Sequence, residues 1–356
     1  MNITYLIGAG ASYEALPIVK DIGEKLQYFK DNFIFYTEKE KTDFLDTKDR
    51  LIDKIINVAE SQKRTELINL AKSFYNDIEW LQKNVEIHSS IDTFAKKLFL
   101  REELDKLNRL KFILSSFFVF LEVKNLDKRY DSFFASILED INNYPKNINI
   151  LSWNYDSQIE KAHYNFAEKD GSYSPDPLNI QYRGDIKRSS YPVDGFCVHK
   201  LNGTTKLKDS QYMEEIYNVN GKNEIALGFN ILNEYENLLS GVKKPNMTFA
   251  WENFDENLDF FKNLKTSVSR TEILIVIGYS FPFFNRKIDK FILDSMTNLK
   301  KVYVQDPSFS SDIIEKIKGL IPDKKVTEKI IGGFKTKEVE YIAKIFTDQF
   351  FIPIEF

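Results

Sequence analysis

Residues 1–14, MNITYLIGAGASYE, decide how the rest of this chain is read. Ile3 to Ile7 is a short run rich in β-branched and aromatic residues, and it stops abruptly at Gly8-Ala9-Gly10-Ala11-Ser12. The pattern predicts a buried strand, a tight glycine turn, and a helix that begins near Ser12 and runs to about residue 28, interrupted or restarted around Pro17. Glycine serves where the backbone needs positive φ, or where it must approach another group with no Cβ in the way. A helix start offers unpaired N–H groups and the positive end of its dipole, a natural anion site. Strand–GxG–helix is therefore a candidate pyrophosphate cradle. The plain alternative is a turn that packs a helix on a sheet, since the third glycine of the longer GxGxxG pattern is replaced by Tyr13.

The 356 residues suffice for one large domain or two ordinary ones, and 43% hydrophobic with 29% charged residues describes a chain that buries a sizeable core. A net charge of −4 supplies no global basic field, so direct nucleic-acid binding is not expected. The single cysteine, Cys197, excludes an internal disulfide framework and any multi-cysteine zinc module, and fits a reducing cytoplasm. No basic n-region or cleavable apolar segment precedes the first strand. The longest apolar run, Phe112 to Leu121, is too short to span a membrane and reads as a buried helix.

Further strands are expected at Ile148–Trp153, Phe196–Lys200, Glu272–Ile277 and Val302–Val304, with helices at Gln158–Phe166 and Lys287–Met296. Between about 37 and 142 the chain has almost no glycine or proline and carries apolar stripes at helical spacing, such as Leu51, Ile55, Ile56 and Ala59. It reads as a large α-helical insertion within a single α/β domain spanning 1–356. Ser90 or Asp92 is a candidate cap for a helix through Lys97. Residues 320–356 read as a closing helical segment with an apolar tail. Strands alternating with helices point to an α/β Rossmann-like parallel sheet, whose ligand lies outside the carboxyl ends of the strands. Four strands deliver small or polar groups there: Gly8, Gly10 and Ser12; Asn154 and Asp156; Gly278 and Ser280; and Asp306.

Strand-GAGAS, strand-SWNYD, HKLNG and VIGYS, in that order, resemble the sirtuin-like superfamily, and most closely its bacterial NAD-hydrolysing branch in anti-phage defence. The resemblance covers the first 20 residues and patches between about 148 and 310. It implies an NAD⁺ glycohydrolase that releases nicotinamide and ADP-ribose, with NAD⁺ as substrate and a role as a cell-suicide effector held silent until triggered. It also implies control by homo-oligomerisation or by a ring-forming ATPase partner. The implied binding residues are Gly8, Ala9, Gly10, Ser12, Asn202, Gly203, Gly278 and Ser280; Asn154, Asp156 and His199 are the implied catalytic set. Two departures stand beside it. The four-cysteine zinc module of the sirtuin deacylases is impossible here, so deacylation is excluded and no metal is expected. The family's catalytic histidine directly precedes the glycine of a Lys-Leu-His-Gly segment, and here that place is Asn202. Either His199 reaches the site through a locally different strand end, or Asn202 takes the polar role, or the site binds without cleaving. Along a strand His199 and Asn202 point to opposite faces.

Asn154 suits a role at the ribose and attacking water, and Asp156 one at a ribose hydroxyl or the developing sugar cation; the plain reading of Asp156 is an N-cap for the following helix. A lone histidine on an apolar strand is as readily a satisfied core residue. A non-catalytic NAD- or ADP-ribose-binding subunit of a defence complex, or a purely structural subunit, are the competing readings.

Overall fold

The computed structural model describes residues 1–17, 21–32, 64–140, 143–167, 178–184, 195–207, 224–322, 325–330, 333–354 and 356. In chain order the elements begin β1 (Ile3–Ile7), α1 (Ile22–Asn32), α2 (Arg64–Ile87), α3 (Ile91–Leu100), α4 (Leu104–Lys124) and α5 (Lys128–Ile137). Next come β2 (Ile148–Ser152), α6 (Gln158–Ala167), β3 (Ile180–Tyr182), β4 (Cys197–Lys200), β5 (Gly203–Leu207), α7 (Glu224–Leu239) and β6 (Pro245–Met247). The chain then continues through α8 (Asp259–Ser269), β7 (Ile273–Ile277), α9 (Arg286–Ser295), β8 (Lys301–Gln305) and α10 (Ser310–Leu320). It ends with β9 (Lys325–Ile330), β10 (Gly333–Glu338) and β11 (Glu340–Lys344). These residues fall into two compact units, one of Met1–Glu14, Leu126–Thr204 and Thr248–Phe356, the other of Ala15–Asn125 and Thr205–Met247.

The first unit is α/β and Rossmann-like in general kind: a seven-stranded sheet in the order β11-β8-β7-β1-β2-β4-β3, with every pairing parallel. Parallel strands need covered faces, and both faces of β1, β2 and β7 are buried and, apart from Thr4, Asn149 and Ser152, apolar. Leu6, Leu151, Leu274 and Val276 meet Phe261, Leu264 and Val268 of α8 and Ile288 and Ile292 of α9. On the other face Tyr5, Ile7, Ile150 and Ile275 meet Tyr130, Phe133 and Phe134 of α5 and Ile159 of α6. Phe350 of the apolar tail closes this layer edge-on against Tyr130, with centroids 4.8 Å apart.

Register aligns the strand ends. Ile7 lies opposite both Ser152 and Ile277, Ser152 opposite Lys200, and Ile277 opposite Gln305. The next residues, Gly8, Trp153, Leu201, Gly278 and Asp306, therefore leave the sheet along one carboxyl edge. The chain runs from β1 toward β2 on one side and later returns to β7 on the other, so β1 and β7 flank the topological switch point.

Two sequence expectations are corrected. No helix starts at Ser12: Ala9–Ser12 form one turn of 3-10 helix, and α1 begins at Ile22. The turn closes early because the Ala11 N–H bonds back to the Gly8 carbonyl, three residues away, which sets 3-10 rather than α geometry. Residues 320–356 hold three strands rather than helices. Val326, Thr327, Ile330 and Thr336 favour extended backbone, and β11 gains a parallel ladder on β8, Glu340 facing Lys301 through Lys344 facing Gln305.

In the second unit Phe29 of α1, Phe74 of α2 and Phe117 of α4 pack with centroids about 6 Å apart, and Phe74 meets Tyr235 of α7 at 5.0 Å. Ser90 caps α3, its hydroxyl accepting from the Thr93 N–H at 3.2 Å. Of the helical stretch expected over 37–142, residues 37–63 and 141–142 lie outside the described residues; α2, α3 and α4 belong to this unit and α5 to the sheet unit. Among the described residues no helix is long and apolar enough to cross a membrane.

The β1 and β7 turns touch backbone to backbone. Gly278 has φ +59°, and a Cβ there would stand 2.4 Å from Ala11 N and 2.5 Å from Gly10 Cα. Left-handed strain and the collision add, so Gly278→Ala is expected to lower stability by about 3 kcal/mol, read from urea unfolding. A loss below about 1 kcal/mol would show that the two turns can separate freely.

Candidate active site at the carboxyl edge of the sheet

The glycine turn is held from both sides. Gly8 N–H donates to the Ile277 carbonyl at 3.0 Å and Gly10 N–H to the Gly278 carbonyl at 2.9 Å. From the start of α5, buried Arg129 donates to the Gly10 and Ala11 carbonyls at 3.4 and 3.0 Å while pairing with Asp127. Tyr13 lies over the same guanidinium at 4.2 Å. The amides of Gly8, Gly10 and Ala11 are thus spent inside the protein. Ala9 is exposed, and no described hydrogen bond uses its N–H.

Asn154 leaves the end of β2 and turns back across β1. Its Nδ2 donates to the Gly8 carbonyl at 3.0 Å and to Ser12 Oγ at 3.1 Å. Both amide protons are therefore committed, which fixes the amide plane and leaves Oδ1 as the acceptor that no described donor takes up. Ser12 Oγ lies 3.0 Å from the Tyr130 hydroxyl and also bonds the Asp156 carboxyl. With one proton to give, Ser12 serves Asp156 and accepts from Asn154 and Tyr130. Ser12, Asn154 and Asp156, far apart in sequence, form one buried cluster.

Asp156 also accepts the N–H of Gln158, the first residue of α6, at 3.2 Å; the N-cap position itself is held by Ser157, whose carbonyl takes the Lys161 N–H. Its pKa is raised, first because it is buried; the nearby Lys200 ammonium pulls the other way without cancelling that effect. Lys200, the last residue of β4, is fully buried on the α5–α6 face, where its Nζ donates to the Asp156 carbonyl and pairs with Glu160 at 3.4 Å. Sequence reading gave Lys200 no role; its place as the lysine of the HKLNG segment was the available signal.

His199 has other partners. It points to the α8 face, where Nε2 lies 3.1 Å from Ser267 Oγ and 3.4 Å from Cys197 Sγ, and the ring meets Phe260 edge-on. Burial lowers its pKa to about 3, so the ring is neutral at physiological pH. None of its hydrogen bonds reaches Asn154, Asp156 or Asn202. Asn202 instead stands at the carboxyl edge, its Nδ2 donating to the Trp153 carbonyl at 2.9 Å, followed by Gly203 at φ +73°. Ser280 is exposed beyond Gly278, and its carbonyl accepts from Lys316 at 2.8 Å. Asp306 accepts the Ser308 and Phe309 N–H groups and so shapes its own turn.

A second cluster, absent from the sequence reading, ties the β2 and β7 ends together. Trp153 and Tyr279 stack at 5.8 Å, and both donate to Asp289 of α9, the indole at 3.2 Å and the phenol at 2.8–2.9 Å. Asp289 is buried and its pKa is raised well above the usual range by that burial, which the two donors only partly offset. Among the described residues no group of three His, Cys, Asp or Glu side chains is placed to hold a metal ion.

No protein-family model matches this sequence, and comparison with curated proteins gives no significant match.

The folded state holds the Asp289 proton more tightly than the unfolded chain, whose carboxyl titrates near pH ~4. The stability that this proton confers is complete below that pH and is lost as pH rises toward the folded value. Asp289→Asn removes the titration and keeps an acceptor. It is expected to gain on the wild type between about pH 4.5 and about pH 8, whereas Asp289→Ala loses about 2 kcal/mol by orphaning the indole and phenol donors. Urea unfolding at the two pH values checks this; an Asn offset that does not change with pH would contradict a buried, protonated acid.

Proposed function

We propose that this protein is an NAD⁺ glycohydrolase that cleaves the nicotinamide–ribose bond, and that it serves as a suicide effector in bacterial anti-phage defence. The observation that carries the reading is the Asn154 amide, clamped by Gly8 and Ser12 at the carboxyl edge with Oδ1 left over as an acceptor. The ordered motifs GAGAS, SWNYD and VIGYS, brought to adjacent strand ends, support it.

The pyrophosphate lies against the Ala9 amide at the β1 turn. Asn154 Oδ1 accepts from the ribose hydroxyl or the attacking water. The water oxygen bonds to C1′ as the C1′–N bond breaks, and the bonding pair neutralises the pyridinium so that nicotinamide leaves uncharged. The surplus water proton passes to Asp156, whose raised pKa makes it a better acceptor than an ordinary carboxylate. Because the leaving group carries its own positive charge into the reaction, little acid catalysis is needed, and the state to be stabilised is an oxocarbenium ion. In this reading the protein is cytoplasmic. It forms a homo-oligomer or docks on a ring-forming ATPase that holds it silent, with the helical residues providing such contacts.

Two observations favour a second reading, a non-catalytic NAD- or ADP-ribose-binding subunit. The amides of Gly8, Gly10 and Ala11 are already bonded, and the one histidine of HKLNG is neutral and tied to Ser267.

Chromatographic detection of nicotinamide from NAD⁺ separates the two. The wild type, incubated alone and with its neighbouring gene products, is expected to release nicotinamide, and Asn154→Ala to stay folded, at about 1–2 kcal/mol lower stability for its two lost buried hydrogen bonds, while losing at least about 100-fold in rate. Ligand-induced stabilisation with no release in either condition would select the binding subunit.

A further inference from the structure

The β4 end carries an unmet hydrogen-bonding demand. Asn202 is buried, with 8% of its surface exposed. Its amide cannot be flipped: the Trp153 carbonyl is an acceptor, so the atom 2.9 Å away must be Nδ2. Oδ1 then points elsewhere, and it is shut away from solvent with no hydrogen-bond partner among the described residues. The main chain gives no slack, because the Asn202 carbonyl accepts the Thr248 N–H at 2.8 Å. Two further polar atoms at the same strand end are also buried without partners, the hydroxyls of Thr204, two residues on, and of Thr248. Native proteins leave few such atoms unmet, and three on segments joined by that Thr248–Asn202 bond mark a place that water or a ligand completes.

Position and chemistry limit what completes it. In the sheet β4 lies beyond β2 as seen from the β1 glycine turn. A dinucleotide with its pyrophosphate at β1 and its reacting ribose at Asn154 on β2 therefore carries its base toward β4. An amide oxygen can only accept. The nicotinamide carboxamide offers two N–H donors, and its own carbonyl can accept from a threonine hydroxyl. Nicotinate offers no donor and sets a carboxylate against the Asn202 oxygen.

Resting on the glycohydrolase reading, we infer that Asn202 Oδ1, with Thr204 and Thr248, forms a carboxamide subsite that selects NAD⁺ over its nicotinic-acid counterpart. Asn202 is then a specificity residue rather than a substitute base, and the protein is indifferent to nicotinate dinucleotides.

The test is competition against a fluorescent ADP-ribose probe, which lacks the base. The competitors are carba-NAD⁺, whose carbocyclic ribose resists cleavage, and its nicotinate analogue. Wild-type protein is expected to bind the amide at least about tenfold more tightly than the acid, because a buried acceptor discriminates strongly against a ligand with no donor. Asn202→Ala and Asn202→Ser are expected to bring that ratio to about one while the ADP-ribose probe binds as before, which also reports that the site is folded. Equal wild-type affinity for the two competitors overturns the subsite without any variant, as does a preference that survives both substitutions. In either case retained probe binding leaves the glycohydrolase reading standing. If the probe itself fails to bind the wild type, both fall.

Discussion

The contact on which the carboxyl edge depends is the close approach of two backbone turns, Gly8–Gly10 after β1 and Gly278 after β7. A Cβ on Gly8 would lie 2.7 Å from the Tyr279 ring, and one on Gly10 would lie 2.7 Å from Gly278 Cα. The approach permits the paired bonds from Gly8 to Ile277 and from Gly10 to Gly278. At the switch point of an open α/β sheet the flanking loops ordinarily diverge and leave a crevice. Here they converge. The glycines are explained by this packing before any ligand is considered, and what these turns offer a ligand is correspondingly small: the exposed Ala9 amide and the Asn154 oxygen that no described donor takes up.

Convergence also dictates what must lie beneath. Trp153 and Tyr279 leave the ends of β2 and β7, the strands on either side of β1, and stack, and their buried polar atoms share Asp289. A carboxylate taken out of water with only neutral donors is costly, and the proton it retains is the cheaper solution. Near Asp156 the balance differs, because Lys200 supplies a full charge from the adjacent strand. Even so burial outweighs it, and the carboxyl stays above its ordinary pKa. One edge thus holds two buried acids under different control, Asp289 answering to aromatic donors and Asp156 to an ammonium and to Ser12.

The sheet was legible because its signals are local. Ile3–Ile7, Ile148–Ser152 and Ile273–Ile277 are apolar runs bounded by glycine or polar turns, and their strand ends carry the motifs. The cluster of Ser12, Asn154 and Asp156 was legible only as separate positions; register joined them. Where sequence reading failed, a non-local contact had overridden a local preference. Ala9–Ser12 looked like a helix start, but bonds to the Gly278 turn and to Arg129 fix it as a single 3-10 turn. Glu340–Lys344 has no strong strand signature of its own and becomes one beside β8. Arg129 and Asp289 carry no motif at all, Lys200 sits unremarked inside HKLNG, and only burial reveals what each holds.

The parity of a strand bears on the histidine question more firmly than any motif. His199 lies opposite Leu151 and faces α8; Lys200 lies opposite Ser152 and faces α5 and α6, where Asp156 is. Bringing His199 to Asn154 would require a one-residue slip of β4, which would drive Lys200 into the apolar layer beneath α8. A buried ammonium without Glu160 or the Asp156 carbonyl is far more costly than a neutral imidazole bonded to Ser267. The register is therefore locked by the lysine, and the histidine is kept in the core by it. Whatever chemistry this edge performs, Ser12, Asn154, Asp156 and Asn202 are polar groups it has to hand where His199 is not, with Lys200 holding the loop that carries two of them.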